Sequence, residues 1–336
     1  MIVIDGSYGE GGGSIIRTSL ALSMLSSKPF TISNIRINRP NPGLKPQHLN
    51  AVLAAKKLCD ATVEDASINS QKIIFKPNEV KPQTLSVDIG TAGSITLLLQ
   101  ALLPPSVFAH DKIRLRITGG TDTKWSMPID YFRNVLLPRI SHLAKIQTEV
   151  IQRGYYPRGG GKVDIKIQPK QQSENFNLLE RGTIQRIDGI SHASSELRQA
   201  RVAERQLKAA KQTLSKMDCN LKIKTEYCKT LSKGSGLTLW ATSDTGSIVG
   251  ADSLGEQGKR AEIVGRQAAT NLLNQLNKDA PVDLHLADQL IPFLAATRGK
   301  YKTTEITNHT LTNIYVVNQF LPNRISVDIV KRIITS

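Results

Sequence analysis

Four short segments of this 336-residue sequence combine residue types that handle anions, protons or metal ions. The first is Gly6-Ser-Tyr-Gly-Glu10-Gly-Gly-Gly13-Ser14. It lies between a strand-like and a helix-like stretch, where bare backbone N–H groups can face an anion. It has neither the Lys-Ser/Thr of a Walker loop nor a clean dinucleotide fingerprint, so a tight strand-to-helix turn is the simpler reading. Glu10 adds a second possibility, because an acid in such a loop can hold a divalent metal. The second segment, Arg36-Ile-Asn-Arg39-Pro-Asn-Pro-Gly-Leu-Lys45-Pro-Gln47-His48, packs cations among prolines ahead of a helix. Arginine can grip a phosphate with two parallel donors, although an exposed basic loop would look the same.

The third segment, Arg153-Gly-Tyr-Tyr-Pro157-Arg-Gly-Gly-Gly161-Lys-Val, joins two strand-like runs, so its glycines can be read as a hairpin turn. The fourth runs from Asp283-Leu-His285-Leu-Ala-Asp288-Gln289-Leu to Thr307-Asn-His309-Thr-Leu-Thr-Asn313. His309 opens a helix beside Thr and Asn, which can orient its ring, and a neutral imidazole there could serve as base, ligand or nucleophile. His48 and His285 could join it as metal ligands, but no HxH or HExxH spacing supports this. No Gly-x-Ser-x-Gly elbow is present either.

The elements that must position these residues repeat. Gly13-Ser14-Ile15 and Gly93-Ser94-Ile95 stand eighty residues apart, each opening a helix after a strand. A second helix is predicted in each case, near Gln47–Leu58 and Met127–Leu143, with strands at Phe30–Ile37, Lys72–Lys76, Lys112–Thr118, Ile146–Gln152 and Lys162–Gln168. Each unit reads strand, helix, strand, helix, strand, strand, and so long a period means an array of α/β modules rather than a solenoid. A third unit is predicted from Val282–His285 (strand), Ala287–Thr297 (helix), Lys302–Thr307 (strand), Thr310–Phe320 (helix) and Arg324–Val330 (strand). The expected fold is therefore α/β: three β-α-β-α-β-β units (about 1–80, 81–170 and 279–336) in a large domain of residues 1–182 and 279–336. Residues 183–278 are expected to form a smaller inserted α/β domain. Its helix Leu197–Met217 places Ala203, Leu207, Ala210, Leu214 and Met217 on one face, with Arg198, Arg201, Arg205, Lys208 and Lys216 opposite. That basic face reads as a solvated outer surface, or alternatively as a stripe along an RNA backbone.

Composition sets the outer limits. There are 44 Lys+Arg against 28 Asp+Glu, a net charge of +16, and the pI is near 9.8. Such a balance points to a polyanionic partner without separating nucleic acid from an acidic lipid surface. Aromatics are only 5% of the chain, which argues against a groove that stacks base after base. The longest apolar runs, such as Ile95–Leu103, are too short for a membrane span. Met1-Ile-Val-Ile-Asp5 reads as a strand rather than a signal peptide. Cys59, Cys219 and Cys228 form no CxxC pair, which excludes a disulfide scaffold and favours a reducing, cytoplasmic setting.

Taken together, Asp5-Gly-Ser-Tyr-Gly-Glu10-Gly-Gly-Gly13, Arg36–His48, Gly119-Gly-Thr-Asp122, Arg153–Val163, Ala287-Asp-Gln-Leu290 and Asn308-His-Thr-Leu-Thr-Asn313 resemble the RNA 3'-terminal phosphate cyclase family over essentially the whole chain. The Arg153–Val163 segment is the most specific of these. The resemblance implies three repeated α/β units with an inserted domain, and an ATP-dependent ligase acting on RNA that ends in a 3'-phosphate. His309 would form a histidyl–AMP intermediate and Glu10 would hold Mg²⁺ or Mn²⁺. Arg17, Gln100, His285, Asp288 and Gln289 would bind ATP, while Arg36, Arg39, Gln47 and His48 would hold phosphate or the RNA end. At His285 the chain departs from the aromatic residue expected there, so adenine stacking is not assigned to that position. The oligomeric state, monomer or homodimer, stays open. Two other classes share parts of this pattern. Cyclase-like ribosome-biogenesis factors are non-catalytic and lack the histidine of the Asn-His-Thr-Leu-Thr-Asn segment. Enolpyruvyl-transferase-like repeat enzymes form no covalent nucleotide intermediate.

Overall fold

Along the Gly13–Ser26 helix every residue from Ser14 to Met24 is buried, so this helix has no polar face to give to water. It packs against the Ile95–Val107 and Asn308–Phe320 helices, and the molecule is organised around it. The computed structural model describes residues 1–171 and 175–336. Among them are four four-stranded sheets.

The first sheet is built from Ile2–Asp5, Phe30–Ser33, Ile73–Lys76 and Thr62–Glu64, in that spatial order. Its first two strands are parallel and the others antiparallel. Thr84–Asp88, Ile113–Gly119, Gly161–Pro169 and Ala144–Gln152 repeat the same order and the same directions. The third sheet does so again with Phe176–Leu178, Gly299–Lys302, Ile333–Thr335 and Ser326–Asp328. The repeat expected from the glycine motifs is thus a repeat of sheet topology, and the fold is mixed α/β as expected.

Two local expectations change. The first strand of the third sheet is Phe176–Leu178, not Val282–His285. Val282 makes only an isolated bridge to Thr303, and Asp283 ends the extended stretch. Its carboxylate accepts from the N–H groups of His285 and Leu286 at 3.0 Å each, capping the Leu284–Ala296 helix. The partner strand is Gly299–Lys302 rather than Lys302–Thr307, and the chain closes with two short strands where one was expected. In the second unit the expected Met127–Leu143 helix is shorter and irregular, running Ile129–Tyr131, a π-turn at Phe132–Leu136, then Leu137–Arg139. Pro138 has no N–H to return to the preceding turn, and the Leu137 N–H reaches back to Phe132 O instead.

Residues 184–276 form the fourth sheet, ordered Asn220–Cys228, Ile184–Ser194, Ser235–Ser243, Ile248–Leu254. The Val202–Thr213 and Ala261–Leu276 helices pack on one another and on this sheet. Their apolar core, around Ile187, Leu214, Leu239 and Leu272, is separate from the large core of the three repeated units. Among the described residues no helix is long and apolar enough to cross a membrane.

Candidate active site

The glycine segment turns sharply out of the Ile2–Asp5 strand. Gly9 and Gly11 take φ of +57° and +54°, a left-handed conformation costly for residues with a Cβ. At Gly9 a Cβ would also lie 2.6 Å from Thr312 Oγ1. The loop therefore rests directly on the Asn308–Phe320 helix. Tyr8 strengthens that contact by stacking on Tyr315, with ring centroids 3.7 Å apart. As a result Glu10 Oε2 sits 3.2 Å from His309 Nε2, although their positions lie at opposite ends of the chain.

Arg39 completes this group. Its Nη2 donates to the Glu10 carbonyl at 2.8 Å and lies 3.9 Å from the Glu10 carboxylate. Gly12 precedes the Gly13–Ser26 helix and offers no side-chain cap, which leaves the first backbone N–H groups open to an anion. His309 stands in the first turn of its own helix, where Thr307 Oγ1 accepts from the Thr310 N–H at 3.2 Å. Two helix N-termini, a carboxylate, a guanidinium and an imidazole thus converge on one partly exposed surface.

A second group lies deeper. Arg17 projects from the buried helix and donates from Nε to Gln100 Oε1 at 2.8 Å. Burial draws its guanidinium down to about 10, opposed by the neighbouring Asp288 carboxylate. Asp288 is pushed up to about 7, chiefly by burial and against the pull of Arg17. Asp288 and Gln289 line a pocket with Gln100, Thr18, Asn313 and Phe293. Asp288 Oδ1 and Gln289 Oε1 are shielded from solvent and have no hydrogen-bond partner, so the cavity presents unused polar atoms. Thr18 Oγ1 donates to Asn313 Oδ1 at 2.9 Å, and Asn313 Nδ2 donates to the Asp288 carbonyl at 3.0 Å. These bonds fasten the three helices around the cavity.

His48 links the two groups. Its Nδ1 accepts from the Lys45 N–H at 3.1 Å, and a Cβ on Gly13 would stand 2.3 Å from its Nε2. Burial, then the charges of Arg17, Arg36 and Lys45, hold this imidazole down at about 3, so it is neutral. Arg36 takes φ of +55°, and its buried Nε has no partner, as is true of Gln47 Nε2. The structure brings Glu10, Arg39 and His309 together in one group, and Arg17, Gln100, Asp288, Gln289 and His48 in another. His285 stands apart: it is exposed, edge-on to Tyr131 at 6.5 Å, one turn before Asp288 and outside the cavity lining.

A model of the RNA 3'-terminal phosphate cyclase family matches residues 8–327. The chain belongs to the RNA 3'-terminal phosphate cyclase family. Among relatives carrying that same name, the Pyrococcus abyssi protein is 49% identical over 322 residues, covering 96% of this chain and 93% of its own. The Pyrococcus furiosus protein is 50% identical, covering 95% and 93%, and the Archaeoglobus fulgidus protein 45%, covering 96% and 96%. Within this cyclase-family fold, Tyr8, Tyr315, Thr312 and Thr18 support the site without appearing among the sequence-derived candidates. Tyr8 lay inside a motif already singled out. Tyr315, two residues past Asn313, carried no signal, because a helical tyrosine is usually a packing residue.

Proposed function

We propose that this enzyme, a ligase by family, is an ATP-dependent RNA 3'-terminal phosphate cyclase. It would convert an RNA 3'-phosphate to a 2',3'-cyclic phosphate through a covalent histidyl–AMP. The observation that carries the reading is the placement of His309 in the first turn of its helix, 3.2 Å from Glu10 and beside Arg39. In the first step an imidazole nitrogen forms a bond to the α-phosphorus of ATP and pyrophosphate leaves. An oxygen of the RNA 3'-phosphate then takes that phosphorus, breaking the P–N bond and giving an RNA–adenylate anhydride. The adjacent 2'-hydroxyl attacks the RNA phosphorus, loses its proton and expels AMP. Each step exchanges one bond to phosphorus for another, so no redox partner is required.

The order of events follows from the chemistry of a phosphate monoester. Its dianion repels nucleophiles and has no good leaving group, and adenylylation supplies one. Ring closure is intramolecular, with an effective molarity of order 10⁵ M or more. The protein's work is chiefly positioning and charge neutralisation. Arg39 and the open helix start at Gly12–Ser14 suit phosphate oxygens. The cavity with unpartnered Asp288 Oδ1 and Gln289 Oε1 suits a nucleotide with hydrogen-bonding groups to spare. Arg17, Gln100 and His48 would position these groups, while Arg36 and Gln47 offer unpartnered donors to the RNA end. His285, on the same helix face as Asp288, would lie at the rim and not over the base.

Glu10 offers oxygen donors of the kind Mg²⁺ or Mn²⁺ prefers, and such an ion would neutralise charge on the nucleotide phosphates. Glu10 Oε2 stands 3.2 Å from His309 Nε2, close enough for the carboxylate to orient the ring. The attacking ring nitrogen needs a free lone pair, so attack through Nε2 would require this contact to open. The large domain of residues 1–182 and 279–336 with an insert at 183–278 belongs to the same reading, supported by the two separate apolar cores. So does a cytoplasmic location, in keeping with three free cysteines.

The test uses α-³²P-ATP. The wild-type protein should acquire an acid-labile label, and a chase with a 3'-phosphorylated oligonucleotide should discharge it and yield cyclic-phosphate RNA. His309→Ala should lose at least about 10³-fold of the labelling, as expected for a missing nucleophile. Label that persists in His309→Ala overturns the assignment. No label in a folded wild-type protein favours the non-catalytic class.

A further inference from the structure

Away from this site, the second unit and the 184–276 segment meet around a buried charge cluster. Arg153 is 2% exposed and holds three carboxylates: Asp122 Oδ2 at 3.2 Å, Asp130 Oδ2 at 2.7 Å and Glu226 Oε1 at 3.0 Å. His192 is fully buried beside them, with Nε2 3.5 Å from Asp122 Oδ1. One ligand atom from each of Asp122, Asp130 and His192 lies within 4.8 Å of the others.

We propose that Asp122, Asp130 and His192 form a site for one divalent transition-metal ion of the zinc class, clamping the second unit to the 184–276 segment. The argument begins with the unused atoms. On each residue one polar atom is hydrogen-bonded within the protein and the other is not, although His192 Nε2 and Asp122 Oδ1 stand 3.5 Å apart. Asp122 Oδ2 accepts from Thr121 Oγ1 at 2.6 Å and from Arg153, whereas Oδ1 has no hydrogen-bond partner. Asp130 Oδ2 accepts from Arg153 at 2.7 Å, whereas Oδ1 has none. His192 Nδ1 is hydrogen-bonded to Tyr155 OH at 2.7 Å, whereas Nε2 has none. The three residues are 3%, 0% and 0% exposed. Buried polar atoms are normally satisfied, and three bare ones in one place call for an explanation.

Charge points the same way. Arg153 faces two fully buried carboxylates, Asp122 and Asp130, and the half-exposed Glu226, so one guanidinium stands against two carboxylates removed from water. Burying a carboxylate without enough positive charge is costly, and a cation held by these side chains would offset that cost. The donors also fit. Imidazole nitrogen and carboxylate oxygen are both zinc ligands, and a water can complete a fourth position beside three protein ligands. The bonds from Tyr155, Thr121 and Arg153 are the outer contacts that orient metal ligands.

The ion would join elements from separate layers: the loop after Ile113–Gly119, the irregular Ile129–Arg139 helix and the Ile184–Ser194 strand. The site is distinct from the Glu10–His309 group, and the test must keep the two apart. Full-length protein is stripped with a chelator, dialysed, and titrated with Zn²⁺ alone, followed by elemental analysis and by Co²⁺ absorption in the visible. Wild type should hold about one equivalent per chain, give tetrahedral cobalt bands and melt at higher temperature with Zn²⁺. His192→Gln and Asp130→Asn should each fall about tenfold or more in occupancy. The Glu10→Ala/His309→Ala double variant should keep its ion. Near-UV circular dichroism checks that each variant is folded, and the wild-type stoichiometry and cobalt spectrum stand even if one is not. Folded wild type that binds no ion overturns the proposal, leaving protons to balance the cluster. An ion retained in folded His192→Gln, or lost only from the double variant, overturns it as well.

Discussion

Two charged groups in this molecule use the same residue types in opposite ways. Around Glu10 the side chains of Arg39, Glu10 and His309 are 41%, 30% and 53% exposed, and their ion-pair distances run from 3.2 to 3.9 Å. Around Arg153 the guanidinium, Asp122 and Asp130 are 2%, 0% and 0% exposed, with each guanidinium nitrogen directed at a carboxylate. An exposed ion pair is screened by water and contributes little to stability, so its members remain free to change partners. A buried pair has already lost its hydration, and removing one member strands the other. The first arrangement suits a surface that must receive and release phosphates. The second suits a joint.

The sharpest way to break this comparison is to remove one arginine from each group. Arg153→Met should cost about 3–5 kcal/mol of stability in a denaturant titration, because buried carboxylates lose their cation. Arg39→Ala should cost about 1 kcal/mol or less, yet weaken use of 3'-phosphorylated RNA more than self-adenylylation. If Arg39→Ala destabilises as much as Arg153→Met, the contrast fails. If it slows both chemical steps equally, Arg39 does not serve the RNA phosphate.

Gly13→Ala probes the boundary between the open and buried parts of the candidate active site. The new Cβ would stand 2.3 Å from His48 Nε2 and 2.8 Å from Arg17 Nη1. Both side chains are buried, so neither can move aside cheaply. A loss of about 1–3 kcal/mol is expected, as for other overpacked cores, together with weaker ATP-dependent labelling. Unchanged stability and labelling would mean that Arg17 and His48 are not held as the structure places them.

How much of this was legible in the sequence depended on whether the signal was local. Glu10 and His309 stood inside short unusual motifs, and their glycine-rich and helix-opening contexts were read correctly. The repeat was visible because Gly13-Ser14-Ile15 recurs at Gly93. Phe176–Leu178 was missed because a three-residue strand shows no alternation, and its partner Gly299–Lys302 lies beyond the whole 184–276 segment. Arg153 was noticed only as part of a family marker. Its role depends on Asp130 and Glu226, 23 and 73 residues away, and no local pattern encodes those distances.

A pH-dependent effect is expected from titration of the deeper group, where two members shift in opposite senses. Asp288 is raised from 3.8 to about 7, so its protonated form stabilises the fold at low pH and that contribution fades as pH rises through 7. His48 is lowered from 6.5 to about 3, so its contribution is complete above 6.5 and fades as pH falls toward 3. Asp288→Asn should therefore gain stability relative to wild type as pH rises from 4 through 7. His48→Gln should gain relative to wild type as pH falls from 6.5 toward 3. Chemical denaturation at several pH values would show either slope with the wrong sign.

The smallest effect concerns the basic face of the Val202–Thr213 helix. Arg201 and Lys208 are exposed, but Arg205 is already committed to Glu262 at 2.7 Å. Part of the charge that looked available in the sequence is thus neutralised within the protein. If the face follows an RNA backbone, each engaged cation contributes about 0.7 to the slope of log affinity against log salt. Neutralising Arg201, Arg205 and Lys208 together should then lower the slope by about 1.4, not by the roughly 2 that three free cations would give. An unchanged slope identifies the helix as a solvated surface. A fall near 2 shows that Arg205 leaves Glu262 when RNA binds, making this pair as exchangeable as Arg39 and Glu10.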